Sequence, residues 1–205
     1  AGLRAACAAA SGGLSVLCVS KVPPTRSHTV AAQGGINAAL GNRLPDRWEW
    51  HMYDTIRGGD WLSDQDAVAF MCERAADAII ELEQLGMPFT RDAAGHIYQR
   101  AYGGQQADFG KGGPAYRACA VADRTGHSLL HTLYSKAMQA GVEFWVETIA
   151  LDLMIDEQKQ CRGALAWQLD TGELHIFQAQ STIIATGGFG QAYASTTAST
   201  ICTGD

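Results

Sequence analysis

The chain has 205 residues, 47% hydrophobic and 18% charged, which excludes a disordered or fibrous protein and leaves room for one substantial core and part of a second domain. Its 15 basic against 21 acidic side chains and formal charge of −6 argue against general nucleic-acid binding, which needs a clustered basic surface. No apolar run reaches the roughly 20 residues of a membrane span, so membrane attachment would come through a partner. Cys7, Cys18, Cys72, Cys119, Cys161 and Cys202 form no C-x-x-C pair and read as small thiols in a reducing compartment.

Leu3, Ala6, Cys7 and Ala10 share one face of a slim helix over residues 1–11, which Gly12-Gly13 ends. Leu14 to Val19 reads as a short buried parallel strand. In a G-x-G-x-x-G fingerprint the last glycine opens the first helix, and Gly2 occupies that place. The first strand and earlier glycines are therefore expected before residue 1, and the absence of an initiator Met marks an internal fragment. About 20 residues past such a turn a dinucleotide fold usually offers an acid to the ribose. Ser20-Lys21 stands there instead, which shifts weight from a nicotinamide dehydrogenase to a flavoprotein.

Pro23-Pro24 stiffens the approach to Arg26-Ser27-His28-Thr29-Val30-Ala31-Ala32-Gln33-Gly34-Gly35-Ile36-Asn37. This run places one nucleophilic imidazole just before a donor-rich turn whose two glycines let the backbone pass close to a flat or charged ligand. A flavin suits that combination.

Trp48 to Thr55 looks helical and Gly58-Gly59 breaks it. Ser63 or Asp64 is expected to cap a helix from about Gln65 to Leu85, with Ala67, Phe70, Met71, Ala75, Ala78, Ile79, Leu82 and Leu85 as a core-facing stripe. Ala94 to Tyr98 suggests a hairpin or loop excursion, and Tyr102 stands beside Gly103-Gly104. A second helix is expected over residues 115–140. Val142 to Val146 and Ala150 to Ile155 read as strands, and Ala164 to Leu169 pairs with Leu174 to Phe177 across Asp170-Thr171-Gly172. Thr182 to Ala185 reads as a buried strand entering the glycine turn Thr186-Gly187-Gly188-Phe189-Gly190.

His127 and His131 have the spacing of a zinc pair, but no glutamate completes H-E-x-x-H and no third ligand is apparent, so they read as structural histidines that cap or hydrogen-bond. His51, His96 and His175 are assigned surface or loop roles. Asp64 and Asp66 at a helix start fit capping better than paired acid–base work. No G-x-S-x-G elbow frames Ser27, which disfavours acyl transfer.

Thr25 to Gly35 resembles the flavin-attachment segment of succinate dehydrogenase and fumarate reductase flavoprotein subunits. The likeness continues through Trp48-Glu49-Trp50-His51-Met52-Tyr53-Asp54-Thr55, Asp64-Gln65-Asp66-Ala67, Ile97-Tyr98-Gln99-Arg100, Ala122-Asp123-Arg124-Thr125-Gly126-His127 and Ala185-Thr186-Gly187-Gly188. The resemblance implies an α/β, Rossmann-like FAD-binding domain: a parallel sheet with helices and a small antiparallel hairpin region, truncated at both ends. Residues 1–205 would be a partial FAD-binding domain, lacking the capping and C-terminal helical domains and inactive by itself. It implies that His28 is bonded through its imidazole to the 8α carbon of FAD. Ala1, Gly2, Ser20, Lys21, Arg26, Ser27, Thr29, Ala32, Gln33, Gly34, Gly35, Ala185, Thr186, Gly187 and Asp205 would contact the cofactor.

Gln33, Gly34 and Tyr102 would lie near the dicarboxylate, although the family more often has Phe at the last position. The family's proton-transferring arginine and dicarboxylate clamps would lie after Asp205, so no catalytic residue and no metal ligand is assigned. Succinate would be oxidised to fumarate, with electrons passing to an iron-sulfur subunit and on to quinone at membrane anchor subunits. The location implied is peripheral on the inner membrane, on the cytoplasmic face in bacteria or the matrix face in mitochondria. Quinol:fumarate reductases commonly place Glu where Gln33 stands, and L-aspartate oxidases lack the attachment histidine, so these relatives are the alternatives. A noncatalytic nucleotide-binding module is the alternative of another class.

Overall fold

The computed structural model describes residues 1–204. In chain order the helices are α1 (Gly2–Ser11), α2 (Trp48–Gly58), α3 (Gln65–Gln84) and α4 (Thr125–Gln139). The strands are β1 (Leu17–Ser20), β2 (Ile36–Asn37), β3 (Gln99–Gln106), β4 (Pro114–Cys119), β5 (Glu143–Val146), β6 (Thr148–Ile155), β7 (Cys161–Gln168) and β8 (Leu174–Gln178). They fall into two compact units, Ala1–Thr29 with the chain from Leu133 onward, and Val30–Thr132.

In the first unit β1 and β5 pair in parallel, Leu17 opposite Glu143 and Ser20 opposite Val146. Their small number of residues suffices because α1 lies close: Leu3, Ala6 and Cys7 are buried, and the Cys7 thiol donates to the Leu133 carbonyl at 3.5 Å. β6, β7 and β8 form an antiparallel meander. Its β7–β8 hairpin closes where Asp170, Thr171 and Gly172 were expected to turn, with Gly172 at φ 74°. Trp145 of β5 meets His175 and Phe177 of β8 edge to face, each at 4.9 Å between centroids. His175 is thus half-buried on a strand rather than a surface or loop residue.

Thr182 to Ala185 is not a strand. A strand needs a ladder partner for its amides and carbonyls, and none runs beside this segment among the described residues, where Ile183 and Ile184 are both 67% exposed.

In the second unit β2, β4 and β3 form an antiparallel sheet with β4 in the middle. The residues from Ala115 to Cys119 are therefore strand, not the start of a helix. This Ala-rich stretch has little strand propensity of its own, and pairing on both edges overrides it. The helix begins only at Thr125. Asp92 and Gly95 make a tight loop closed by an Arg91–Ile97 bridge, and Tyr102-Gly103-Gly104 lies within β3, where the register with β4 slips. The core gathers Ala38, Ile79, Met87, Phe89, Ile97, Cys119 and Val121.

α3 starts where the Asp64 carboxylate accepts the Ala67 amide at 2.9 Å. Its buried line runs through Cys72 and Ile79, with Ala75 and Leu82 against the core. Phe70 and Met71 stay 67% and 49% exposed, and Ala67 and Ala78 also face out. Two adjacent faces are apolar, and the 3.6-residue period alone does not choose between them. Replacing Asp64 with Ala should cost about 1 kcal/mol through the lost cap, read as a lower urea midpoint at unchanged slope, while Asp64→Asn should stay near wild type.

Candidate cofactor site

The first unit brings several of the expected cofactor residues to one end of β1. Ala1 caps α1 without a side-chain hydrogen bond, and the first turn carries no acid. The opening amides of the helix are thus left for an anionic group. A Cβ on Gly2 would stand 3.4 Å from the Ala185 Cβ, so these two backbones approach closely. At the carboxyl end of β1 the Ser20 hydroxyl donates to the Val22 carbonyl at 2.6 Å. The Lys21 ammonium donates to the Thr203 hydroxyl. Thr186 and Gly187 are exposed, and Gly187 at φ 85° has open space where a side chain would be. Asp205 lies outside the described residues.

The run to the imidazole is built from two short 3-10 turns. Pro24–Arg26 forms the first, with Pro24 buried and fixing φ, and Ser27 is extended. His28–Ala31 forms the second. Arg26, His28 and Thr29 are exposed and Ser27 is half-buried. A stiff stem therefore presents an accessible ring.

The second unit holds the glycine turn. Ala32 and Gln33 are exposed. A Cβ on Gly34 would come within 2.7 Å of the Tyr102 ring, so Tyr102 packs directly on that glycine. Gly35 sits at φ 137°, where a Cβ would meet the Cys119 carbonyl oxygen at 2.7 Å. Glycine is required at position 35 on both counts. Of the three residues expected near substrate, Gly34 and Tyr102 are in contact and Gln33 precedes Gly34 in the chain.

His127 and His131 lie on the exposed side of α4 with ring centroids 4.2 Å apart, packed on each other rather than capping. Among the described residues no group of three or more His, Cys, Asp or Glu could hold a metal ion. No disulfide joins any of the six cysteines, and burial pushes the Cys119 thiol up to about 12.

One buried polar cluster was not anticipated. Arg117 is fully buried; its Nε and Nη2 donate to the two oxygens of Asp46 at 2.9 and 2.8 Å, and Nη1 donates to Asp54 at 3.0 Å. His51, also buried rather than on the surface, has no partner for Nδ1. Burial, then the nearby Arg117 charge, lowers its pKa from 6.5 to about 4, against a smaller opposing pull from Asp54. The folded value lies below the unfolded one, so the unfolded chain takes up the proton first as pH falls. Stability should be full above pH 6.5 and decline towards pH 4. His51→Gln should flatten that decline in urea titrations across the same window.

A helix with uncapped opening amides in the same unit as a parallel strand pair is the arrangement of the dinucleotide-binding class of α/β proteins. The family model "FAD binding domain" matches residues 1–205, and the chain belongs to that family. It is 57% identical over its whole length to the mitochondrial succinate dehydrogenase [ubiquinone] flavoprotein subunit of Oryza sativa subsp. japonica, covering 32% of that protein. It is likewise 57% identical to the succinate dehydrogenase flavoprotein subunit of Rickettsia bellii, covering 34% of it. A solved structure, Mycobacterium smegmatis Sdh1 in complex with UQ1, aligns over 99% of the chain and 35% of its own at 32% identity, with a TM-score of 0.89. The chain thus spans about a third of the length of the curated relatives it matches.

Proposed function

We propose that this chain is the FAD-binding portion of the flavoprotein subunit of a succinate dehydrogenase, with FAD bonded covalently to His28. The observation that carries the reading is the Ser27-His28-Thr29 sequence on an exposed turn, followed by Gln33, in a chain 57% identical to succinate dehydrogenase flavoprotein subunits. The residues present fit the cofactor. The opening amides of α1 are proposed to receive the pyrophosphate beside the close Gly2–Ala185 approach, and Ser20 and Lys21 to lie at the adenosine side. Arg26, Ser27, Thr29, Thr186 and Gly187 of the first unit are proposed to contact it, and so are Ala32 and Gly35 of the second. Bound FAD supplies a two-electron acceptor, which an unactivated C–C bond requires for hydride removal. Gln33, Gly34 and Tyr102 are proposed to face succinate, with the Tyr102 ring packed against Gly34. No residue of the chain is proposed as the proton acceptor.

Electrons are proposed to leave through an iron-sulfur subunit and membrane anchor subunits to quinone. No helix of the described residues is long and apolar enough to cross a membrane. The site would be peripheral on the inner membrane, facing the cytoplasm in bacteria or the matrix in mitochondria. The test is flavin fluorescence on the denatured full-length protein, made with FAD and assembly factors supplied. Fluorescence should remain with the polypeptide; complete wash-out would sink covalent attachment.

A further inference from the structure

The backbone from Ala32 to Gly35 is held by groups distinct from those proposed to touch substrate. The Ala32 carbonyl accepts the Gly126 amide at 2.8 Å. The Gln33 carbonyl accepts the Thr125 hydroxyl at 3.2 Å. That hydroxyl in turn accepts the Val121 amide at 3.1 Å. A hydroxyl has one proton and two lone pairs, so with Val121 filling an acceptor position its proton is directed to Gln33. Thr125 is only 2% exposed, which keeps bulk water from competing. Downstream, Ile36 pairs with Cys119 and the Ala38 amide donates to the Arg117 carbonyl at 2.8 Å.

The carbonyl of Gln33 and the amide of Gly34 belong to one planar trans peptide, in which C=O and N–H point in opposite directions. Pinning the oxygen therefore sets the direction of the Gly34 N–H, away from Thr125. Glycine at position 34 leaves that peptide plane free to rotate, because no Cβ resists the change in ψ of Gln33 and φ of Gly34. The direction must be imposed from outside, and the buried hydroxyl does so.

We infer that Thr125 is a positioning residue: its hydroxyl orients the Gln33–Gly34 peptide, aiming the Gly34 amide and the Gln33 side chain at the dicarboxylate. The inference rests on the proposed reading of Gln33 and Gly34 as substrate-proximal. The same hydroxyl also joins the Gln33 turn to Val121 at the entrance to α4, donating to the Gln33 carbonyl and accepting from the Val121 amide.

The experiment uses the full-length enzyme with its FAD and compares wild type with Thr125→Val and Thr125→Ser. Valine has nearly the same shape without the hydroxyl, and serine keeps the hydroxyl without the methyl. Malonate, whose single methylene cannot become an alkene, is titrated by flavin absorbance, and kcat and KM for succinate are measured alongside thermal unfolding. In the valine variant the malonate Kd and the succinate KM should each rise about three- to tenfold, the loss of one oriented hydrogen bond, with a smaller change in kcat. Serine should restore both to within about twofold of wild type, since the donor is retained.

Should valine prevent folding, Thr125→Ala, which leaves room for a water in place of the hydroxyl, should still weaken malonate, because a water is not held at a fixed angle. A folded valine or alanine variant that binds malonate as wild type does, or a serine variant as weak as valine, overturns the inference. Wild type that carries FAD but shows no dicarboxylate response overturns the functional reading itself, and the inference with it.

Discussion

Replacing Arg117 with Ala should destabilise the Val30–Thr132 unit by about 3–5 kcal/mol, because it strands two carboxylates away from water. The side chain of Arg117 is 0% exposed, and those of Asp46 and Asp54 are 1% and 4% exposed. With three guanidinium nitrogens engaged, neither acid has an alternative cation among the described residues: Asp54 also accepts the Gln106 amide at 2.8 Å on the oxygen that faces Arg117, and its other oxygen has no partner among them. Arg117→Lys should recover little, since a point-like ammonium cannot serve two carboxylates set at the edges of a planar fork. The informative control is the triple change Arg117→Met, Asp46→Asn, Asp54→Asn, which removes all formal charge together and should cost far less than Arg117→Ala alone. Urea unfolding of the full-length variants reads the difference. A loss below about 1 kcal/mol for Arg117→Ala would mean that water reaches the two acids, contrary to their burial.

Such a network explains why parts of this fold could be read from the sequence and parts could not. α1 and the β7–β8 hairpin were legible because the signals are local: a face of Leu3, Ala6 and Cys7 ended by glycines, and Asp170-Thr171-Gly172 between two apolar runs. β4 was not, because what makes residues 114–119 a strand is pairing on both edges, with β2 far back in the chain on one side and with β3 across an irregular connection on the other. Arg117 is far from Asp46 and Asp54 in the chain, and only the fold gathers them into one buried cluster. His51 falls in the same class, since its burial comes from α2 packing and no local pattern predicts it. Thr182 to Ala185 shows the converse error: an apolar run was taken for a strand although strand formation needs a partner edge.

The site divides along the same line. Pro23-Pro24 and Gly34-Gly35 announce turns by their own type and spacing, so the local backbone around His28 was legible. Thr125 stood within a recognised run, Ala122 to His127, but its work is a contact between residues 92 apart in sequence, and only the fold brings it to Gln33.

His28→Ser should abolish covalent flavin completely while leaving FAD bound. The expectation of retained binding follows from how the remaining contacts are distributed. The uncapped amides of α1, the Gly2–Ala185 approach and Lys21 are untouched by a change on the exposed turn. Polypeptide fluorescence after denaturation should therefore fall to background, whereas native protein should still carry flavin that is released by acid. Loss of the 8α bond should make the flavin harder to reduce. For a two-electron couple every drop of about 30 mV turns the equilibrium tenfold against oxidation of succinate. Succinate oxidation should fall while fumarate reduction by a low-potential donor is spared, and a spectroelectrochemical titration should show the midpoint displaced downward. Serine is the sharper choice over a bulkier residue because it adds no volume on the flavin side of the turn. Undiminished succinate oxidation with non-covalent flavin would remove the redox role of the tether but keep His28 as its site; flavin still attached after denaturation would remove His28 itself.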